Sequence, residues 1–208
     1  DGYAFNKCSD LEKLDFSHAT ALVTIGNSSF KDCTELSSIN LEKATSLTAI
    51  GNQAFNGDKA IATDLRFPNS LVSIGFNAFD GCSSIPSVSF DNTVNLKTIG
   101  NYAFRNCEKM AGSLDFQAAL TSIGQYAFQG CKALTSITVD YATSLQSIGS
   151  TAFGSCTSLT GTLNFPASLT TIDTSAFNNC NLTKVDFSQA TGLKEIKASC
   201  FKDNSNME

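Results

Sequence analysis

A period of 24 or 25 residues constrains this chain more than any other feature. Phe recurs at positions 5, 30, 55, 79, 104, 128, 153, 177 and 201. Five residues before each Phe from the second on stands an isoleucine: Ile25, Ile50, Ile74, Ile99, Ile123, Ile148, Ile172 and Ile196. A leucine (Leu22, Leu47, Leu71, Leu96, Leu120, Leu145, Leu169, Leu193) precedes each of these by three. Cys follows Phe by three in seven of the nine copies, with Asp58 and Asn204 in the other two slots and the eighth cysteine, Cys200, in an Ala slot. A unit this short buries too little by itself, so successive units must stack to make a continuous core.

Eight of the nine copies run on into an apolar-x-apolar pair: Leu14/Phe16, Ile39/Leu41, Leu65/Phe67, Val88/Phe90, Leu114/Phe116, Ile137/Val139, Leu163/Phe165 and Val185/Phe187. Period-two burial predicts short strands here, joined into one parallel sheet of about eight strands. Gly follows Ile in six of eight copies, which predicts a bend at positive φ. The residues after it (Asn27, Asn52, Asn101, Gln125, Ser150, Thr174) are suited to cap a short helical turn carrying the Ala-Phe pair. Sixteen Phe and no Trp point to a ring filling one defined interior slot. From the third copy on, five-residue links such as Phe67–Leu71 alternate with seven-residue links such as Phe90–Leu96, so the chain reads as a duplicated two-coil unit.

The stretch Leu120–Val139, read as Leu-x-x-Ile-Gly-x-x-Ala-Phe-x-x-Cys-x-x-Leu-x-x-Ile-x-Val, resembles the BspA-like, treponemal class of leucine-rich repeats. The resemblance covers essentially the whole chain. It implies a right-handed solenoid of the α/β repeat type, with a parallel sheet on its concave face and short or helical turns on the other side. It also implies a cell-surface or secreted protein that adheres to other proteins or cells, without specifying a ligand. The copies here run one or two residues longer than is typical of the family, and a Pro after the strand is kept only at Pro68 and Pro166. Residues 1–208 are expected to form one repeat domain of about nine copies. Neither end shows the polar cap a solenoid needs, so a segment of a longer protein is expected.

Composition narrows the function classes. Apolar residues make up 42% and charged residues 16%, enough for a core. The net charge of −5, without a basic stripe, argues against nucleic acid. Apolar runs of four or five residues are far short of the roughly 20 a spanning helix needs, so membrane insertion is not expected. His18, the one histidine, lies in a link, and no nucleophile stands at a recognisable spacing from a base, so no catalytic residue and no enzyme activity is assigned. No Cys-x-x-Cys pair occurs, and neither a metal site nor a cofactor is expected. The cysteine column reads as buried free thiols rather than a disulfide framework. Asn27-Ser28-Ser29 and Asn181-Leu182-Thr183 match the glycosylation sequon. Tyr3, Tyr102 and Tyr126 share a column on the turn side.

What remains is binding. Between the two buried residues of each strand stand Asp15, Asn40, Arg66, Ser89, Asp115, Thr138, Asn164 and Asp186, a varied set against near-invariant interior columns. They are the candidate contact residues of an adhesive module for a protein or glycan partner, with Lys13, Asp64 and Lys184 beside them. The other reading is a stiff spacer or surface antigen whose ligand site lies elsewhere.

Overall fold

The computed structural model describes residues 2–208. Two short strands per coil alternate along the chain. The first kind are β1 (Lys13–Asp15), β3 (Ser38–Asn40), β5 (Leu65–Arg66), β7 (Val88–Ser89), β9 (Gly112–Asp115), β11 (Leu134–Thr138), β13 (Thr160–Asn164) and β15 (Asn181–Asp186). The second kind are two-residue strands ending in the Ile column: β2 (Thr24–Ile25), β4 (Ala49–Ile50), β6 (Ser73–Ile74), β8 (Thr98–Ile99), β10 (Ser122–Ile123), β12 (Ser147–Ile148), β14 (Thr171–Ile172) and β16 (Glu195–Ile196). All pairings are parallel and join neighbouring coils, which makes a parallel β-solenoid.

The expected sheet is present but divided. The apolar-x-apolar strands form four separate two-stranded ladders, β1–β3, β5–β7, β9–β11 and β13–β15. The uninterrupted eight-stranded ladder, β2 through β16, belongs instead to the Ile column, where Ile stacks directly on Ile. Spacing explains the difference. Leu-x-x-Ile never varies in length, so every coil enters the Ile strand in step. Short-link coils carry one extra residue before the other strand, so neighbouring coils fall out of step there. Inside the ladders the register slips at Leu134/Ser136 and Gly161/Thr162, where Thr135 and Thr183 of the long-link coils are left unpaired. At the β3–β5 boundary the Thr63 hydroxyl replaces a backbone partner. It accepts from the Ile39 N–H at 3.3 Å and donates to the Ile39 carbonyl at 3.4 Å.

No helix forms among the described residues, so the helical turns expected on the other side are replaced by something else. Two residues per turn adopt left-handed φ, as Tyr102 (60°) and Asn106 (58°) do around Phe104. These reversals aim alternate N–H groups along the solenoid axis. Tyr102, Phe104 and Asn106 donate to the carbonyls of Gln125, Ala127 and Gln129 in the next coil at 2.7–2.8 Å. In a helix the same groups would be spent within their own coil. The Gly after Ile is not at positive φ; it is needed because the backbones nearly touch. A Cβ on Gly124 would lie 2.5 Å from the Asn101 nitrogen and the Gly100 carbonyl carbon. The asparagines after it do not cap a helix either. Asn27 Oδ1 accepts from the Asn52 N–H, and Asn101 Oδ1 from the Gln125 N–H, both at 2.8 Å across coils.

The phenylalanines fill two interior slots rather than one. The nine Ala-Phe rings, Phe5 to Phe201, form one continuous stack with centroids 5.1–5.5 Å apart and planes within 9°. Phe16, Phe67, Phe90, Phe116, Phe165 and Phe187 meet this stack edge-on, Phe90 against Phe104 at 6.0 Å and 80° for example. Offset-stacked and edge-to-face rings at these separations stabilise beyond their buried area. The sixteenth, Phe76, is 43% exposed on the turn side.

Candidate functional site

The strand register places the eight candidate residues opposite one another in four pairs: Asp15 with Asn40, Arg66 with Ser89, Asp115 with Thr138, and Asn164 with Asp186. The pleat puts them outside while Ile39, Leu65, Leu114, Ile137 and Leu163 turn inward. Asp15, Asn40 and Arg66 are exposed, and Ser89, Asp115, Thr138, Asn164 and Asp186 are half-buried. The surface is therefore a row of four paired patches rather than one flat sheet.

Local hydrogen bonds orient these side chains. Asp15 Oδ1 accepts from the Ser17 N–H at 2.9 Å and Asp186 Oδ1 from the Ser188 N–H at 2.7 Å, and these backbone donors lower both carboxyl pKa values. The Ser113 hydroxyl donates to Asp115 at 3.1 Å, Ser89 donates to Asp91 at 2.8 Å, and Asn164 Nδ2 donates to Asp140 at 3.4 Å. Arg66 and Asn40 line a hollow of about 240 Å³ with Glu42 and Asp64. Asn164 and Asp186 line a larger cleft of about 390 Å³. Lys13 and Lys184 lie in the same ladders, opposite Ser38 and Thr162.

The turn side carries an aromatic cluster that column-by-column reading did not assemble. Tyr102 and Tyr126 stack at 4.9 Å, and Phe76 meets Tyr102 edge-on at 5.6 Å. The Arg105 guanidinium lies 4.7 Å from the Tyr102 ring centre and bonds Asp80 through Nε at 2.9 Å and Nη2 at 2.7 Å. The bond to Asp80 raises the guanidinium pKa further. The available signal was Phe76, standing where most copies have Asn or another polar residue.

His18 is exposed in its link. No group of three or more potential metal ligands occurs among the described residues. Both sequon asparagines bond between coils, Asn27 to the Asn52 N–H and Asn181 Oδ1 to Asn206 Nδ2. The cysteines are free, and all but Cys8 are buried. Each buried column thiol donates to the Phe carbonyl of the preceding coil, as Cys107 does to Phe79 at 3.3 Å and Cys131 to Phe104 at 3.2 Å. Burial pushes the Cys33 thiol up to about 11 and Cys180 to about 12, and raises Cys82, Cys107, Cys131 and Cys156 as well. Thiolate chemistry is suppressed accordingly. Alkylation of the native protein without reductant should modify Cys8 quickly and the other seven only after denaturation. Mass spectra showing fewer than about half of the thiols free would restore the disulfide framework.

The family model for the BspA type leucine rich repeat region matches residues 1–135 and 121–208, in six copies. Among solved structures, a leucine-rich repeat protein of T. pallidum is 28% identical with a TM-score of 0.64, over 76% of this chain and 69% of that one. A leucine-rich repeat protein from Eubacterium ventriosum is 17% identical with a TM-score of 0.58, over 93% and 65%. A leucine rich cell surface protein from Faecalibacterium prausnitzii is 24% identical with a TM-score of 0.42, over 88% and 61%. The chain thus spans about two thirds of the length of these three. No curated protein matches it.

Proposed function

The chain belongs to the BspA-type leucine-rich repeat family, and from that premise we propose that it is a non-enzymatic binding module of a secreted or surface protein, with a protein as its first partner class and a glycan as its second. We take residues 1–208 as one repeat domain whose working surface is the outer side of the odd-numbered strands. The observation that carries this reading is the pairing of Asp15/Asn40, Arg66/Ser89, Asp115/Thr138 and Asn164/Asp186 over uniformly apolar interior residues. Chemically varied side chains on a repeated frame let many modest contacts add across coils. The unbroken Ile ladder and the nine-ring stack favour a second reading, a stiff spacer or surface antigen. No helix of the described residues is long and apolar enough to cross a membrane.

The test begins with a binding screen of the protein against matrix proteins and glycans. With a partner in hand, Arg66→Glu and Asp115→Lys are expected to weaken binding about tenfold or more, because charged contacts set both specificity and association rate. Tyr102→Ala and Tyr126→Ala, on the turn side, should leave it nearly unchanged. The reverse pattern would place the working surface on the turns, and a screen with no partner would favour the spacer.

A further inference from the structure

Alternating link lengths sculpt the strand-face edge. The five-residue links at 67–71 and 165–169 lie between neighbours of seven residues. Each forms the floor of a cleft, of about 370 Å³ at Phe67-Pro68-Asn69 and about 390 Å³ at Phe165-Pro166-Ala167. The walls correspond. Glu42 and Thr45 on one side match Asp140 and Thr143, and Asp91 and Asn92 on the other match Ser188 and Gln189, with Asp186 completing the second cleft. Two separate stretches of sequence thus build the same hollow.

The chemistry of the hollows is specific. The Phe-Pro floors are themselves buried, so the accessible apolar surface comes from Val94 in one cleft and Ala167 in the other, and the rims offer carboxylates, amides and hydroxyls. Lys43 is the one base lining either cleft. Among the described residues the ion pairs engage Asp80, Glu108, Asp173 and Asp203, whereas Glu42, Asp91, Asp140 and Asp186 are in none. A long basic side chain matches this arrangement, with its methylene stem against Val94 or Ala167 and its cationic head at the carboxylates of the rim. The clefts are four coils apart, about 19 Å at roughly 4.8 Å per coil. An extended segment covers that distance in six residues at about 3.3 Å each, and an even separation keeps both side chains on one face.

We infer that the two clefts together hold one extended basic segment of a partner protein, through Lys or Arg side chains at positions i and i+6. This rests on the reading of the strand face as a protein-binding surface and names the kind of partner. Engaging both clefts with one chain makes the second contact intramolecular and multiplies affinity.

The test uses labelled synthetic peptides of Thr, Val and Ser carrying two arginines, titrated against the intact chain by fluorescence anisotropy. The i,i+6 peptide should bind about tenfold or more tighter than its i,i+3 isomer, whose arginines point to opposite faces. Binding should weaken as salt rises. The pair Asp140→Asn with Asp186→Asn, or Glu42→Gln with Asp91→Asn, should each erase the isomer's disadvantage. These residues lie at the rims, outside the core, so unchanged melting curves verify the fold of the variants. Equal affinity for the two isomers, indifference to both cleft variants, or absence of binding overturns the inference. A natural partner that still depends on Arg66 and Asp115 would then leave the wider surface reading standing, and a natural partner indifferent to both residues, found alongside the expected peptide binding, would sink the wider reading alone.

Discussion

Phe104→Ala is expected to destabilise the protein by about 3–5 kcal/mol, the range for truncating a fully buried Phe. Phe104 is buried in the middle of the ring stack, 5.1 Å from Phe79 and 5.3 Å from Phe128, with Phe67 and Phe90 edge-on at 6.4 and 6.0 Å. Each backbone on either side is held to the next coil by its own hydrogen bonds, so the walls cannot collapse into the void. Phe5→Ala makes the comparison, because Phe5 is 47% exposed and stacks on one ring only, Phe30. It should cost less than half as much. Coils in a solenoid couple only to their neighbours, so Phe104→Ala should also uncouple the two halves and broaden the urea transition. Unfolding followed by circular dichroism measures both effects, and a loss at Phe104 no larger than that at Phe5 would show that the stack does not bear the core.

The columns that set the core were legible because burial selects the same apolar residue in every copy, as at Leu120, Ile123 and Phe128. Which strand carries the continuous ladder was not. A two-residue strand such as Ser122–Ile123 is too short to show a period, while the apolar-x-apolar pairs show period two plainly. Ladder continuity depends on constant spacing between coils, which the Leu-x-x-Ile strands keep throughout and the apolar-x-apolar strands lose at three boundaries, β3/β5, β7/β9 and β11/β13. The turn misled for a different reason. Asn and Ser beside an Ala-Phe pair are consistent with a capped helix, yet Tyr102, Gln53 and Thr151 sit at positive φ, where their side chains give little warning. Two residues after Phe the warning was present, since Gly57, Gly81, Asn106, Gly130 and Asn179 are types that tolerate such a backbone. Of the candidate surface, the members were readable from the period, but their pairing and the clefts beside them required the register.

Asp58→Asn is expected to stabilise the protein at pH 8 and leave it nearly unchanged at pH 4. Asp58 stands in the cysteine column, fully buried. Its Oδ1 accepts from the Cys33 N–H at 2.8 Å, and its Oδ2 has no partner. Elsewhere this slot supplies a donor to the Phe carbonyl of the preceding coil, from a thiol at Cys82 (3.0 Å) or from an amide at Asn204 (2.8 Å). The equivalent acceptor here is the Phe30 carbonyl, and a carboxyl can donate to it only when protonated. Burial, with Asp32 adding repulsion, raises the Asp58 pKa to about 8, and the thiols of Cys33 and Cys82 are its other titratable neighbours. In the unfolded chain an Asp titrates near 3.9. With the folded value above the unfolded one, the contribution is complete below about pH 4, declines by about 1.4 kcal/mol per unit as the unfolded state loses its proton first, and is gone above about pH 8. The total is on the order of 5 kcal/mol. Asn keeps an acceptor for Cys33 and brings the donor that Asn204 uses, without a titration, so the variant's stability should be flat over this window apart from changes shared with the parent. Asp58→Cys should behave likewise by restoring the column. Urea titrations of the parent and both variants from pH 4 to 9 decide it, and parallel profiles would mean that Asp58 is carried ionised in the folded chain.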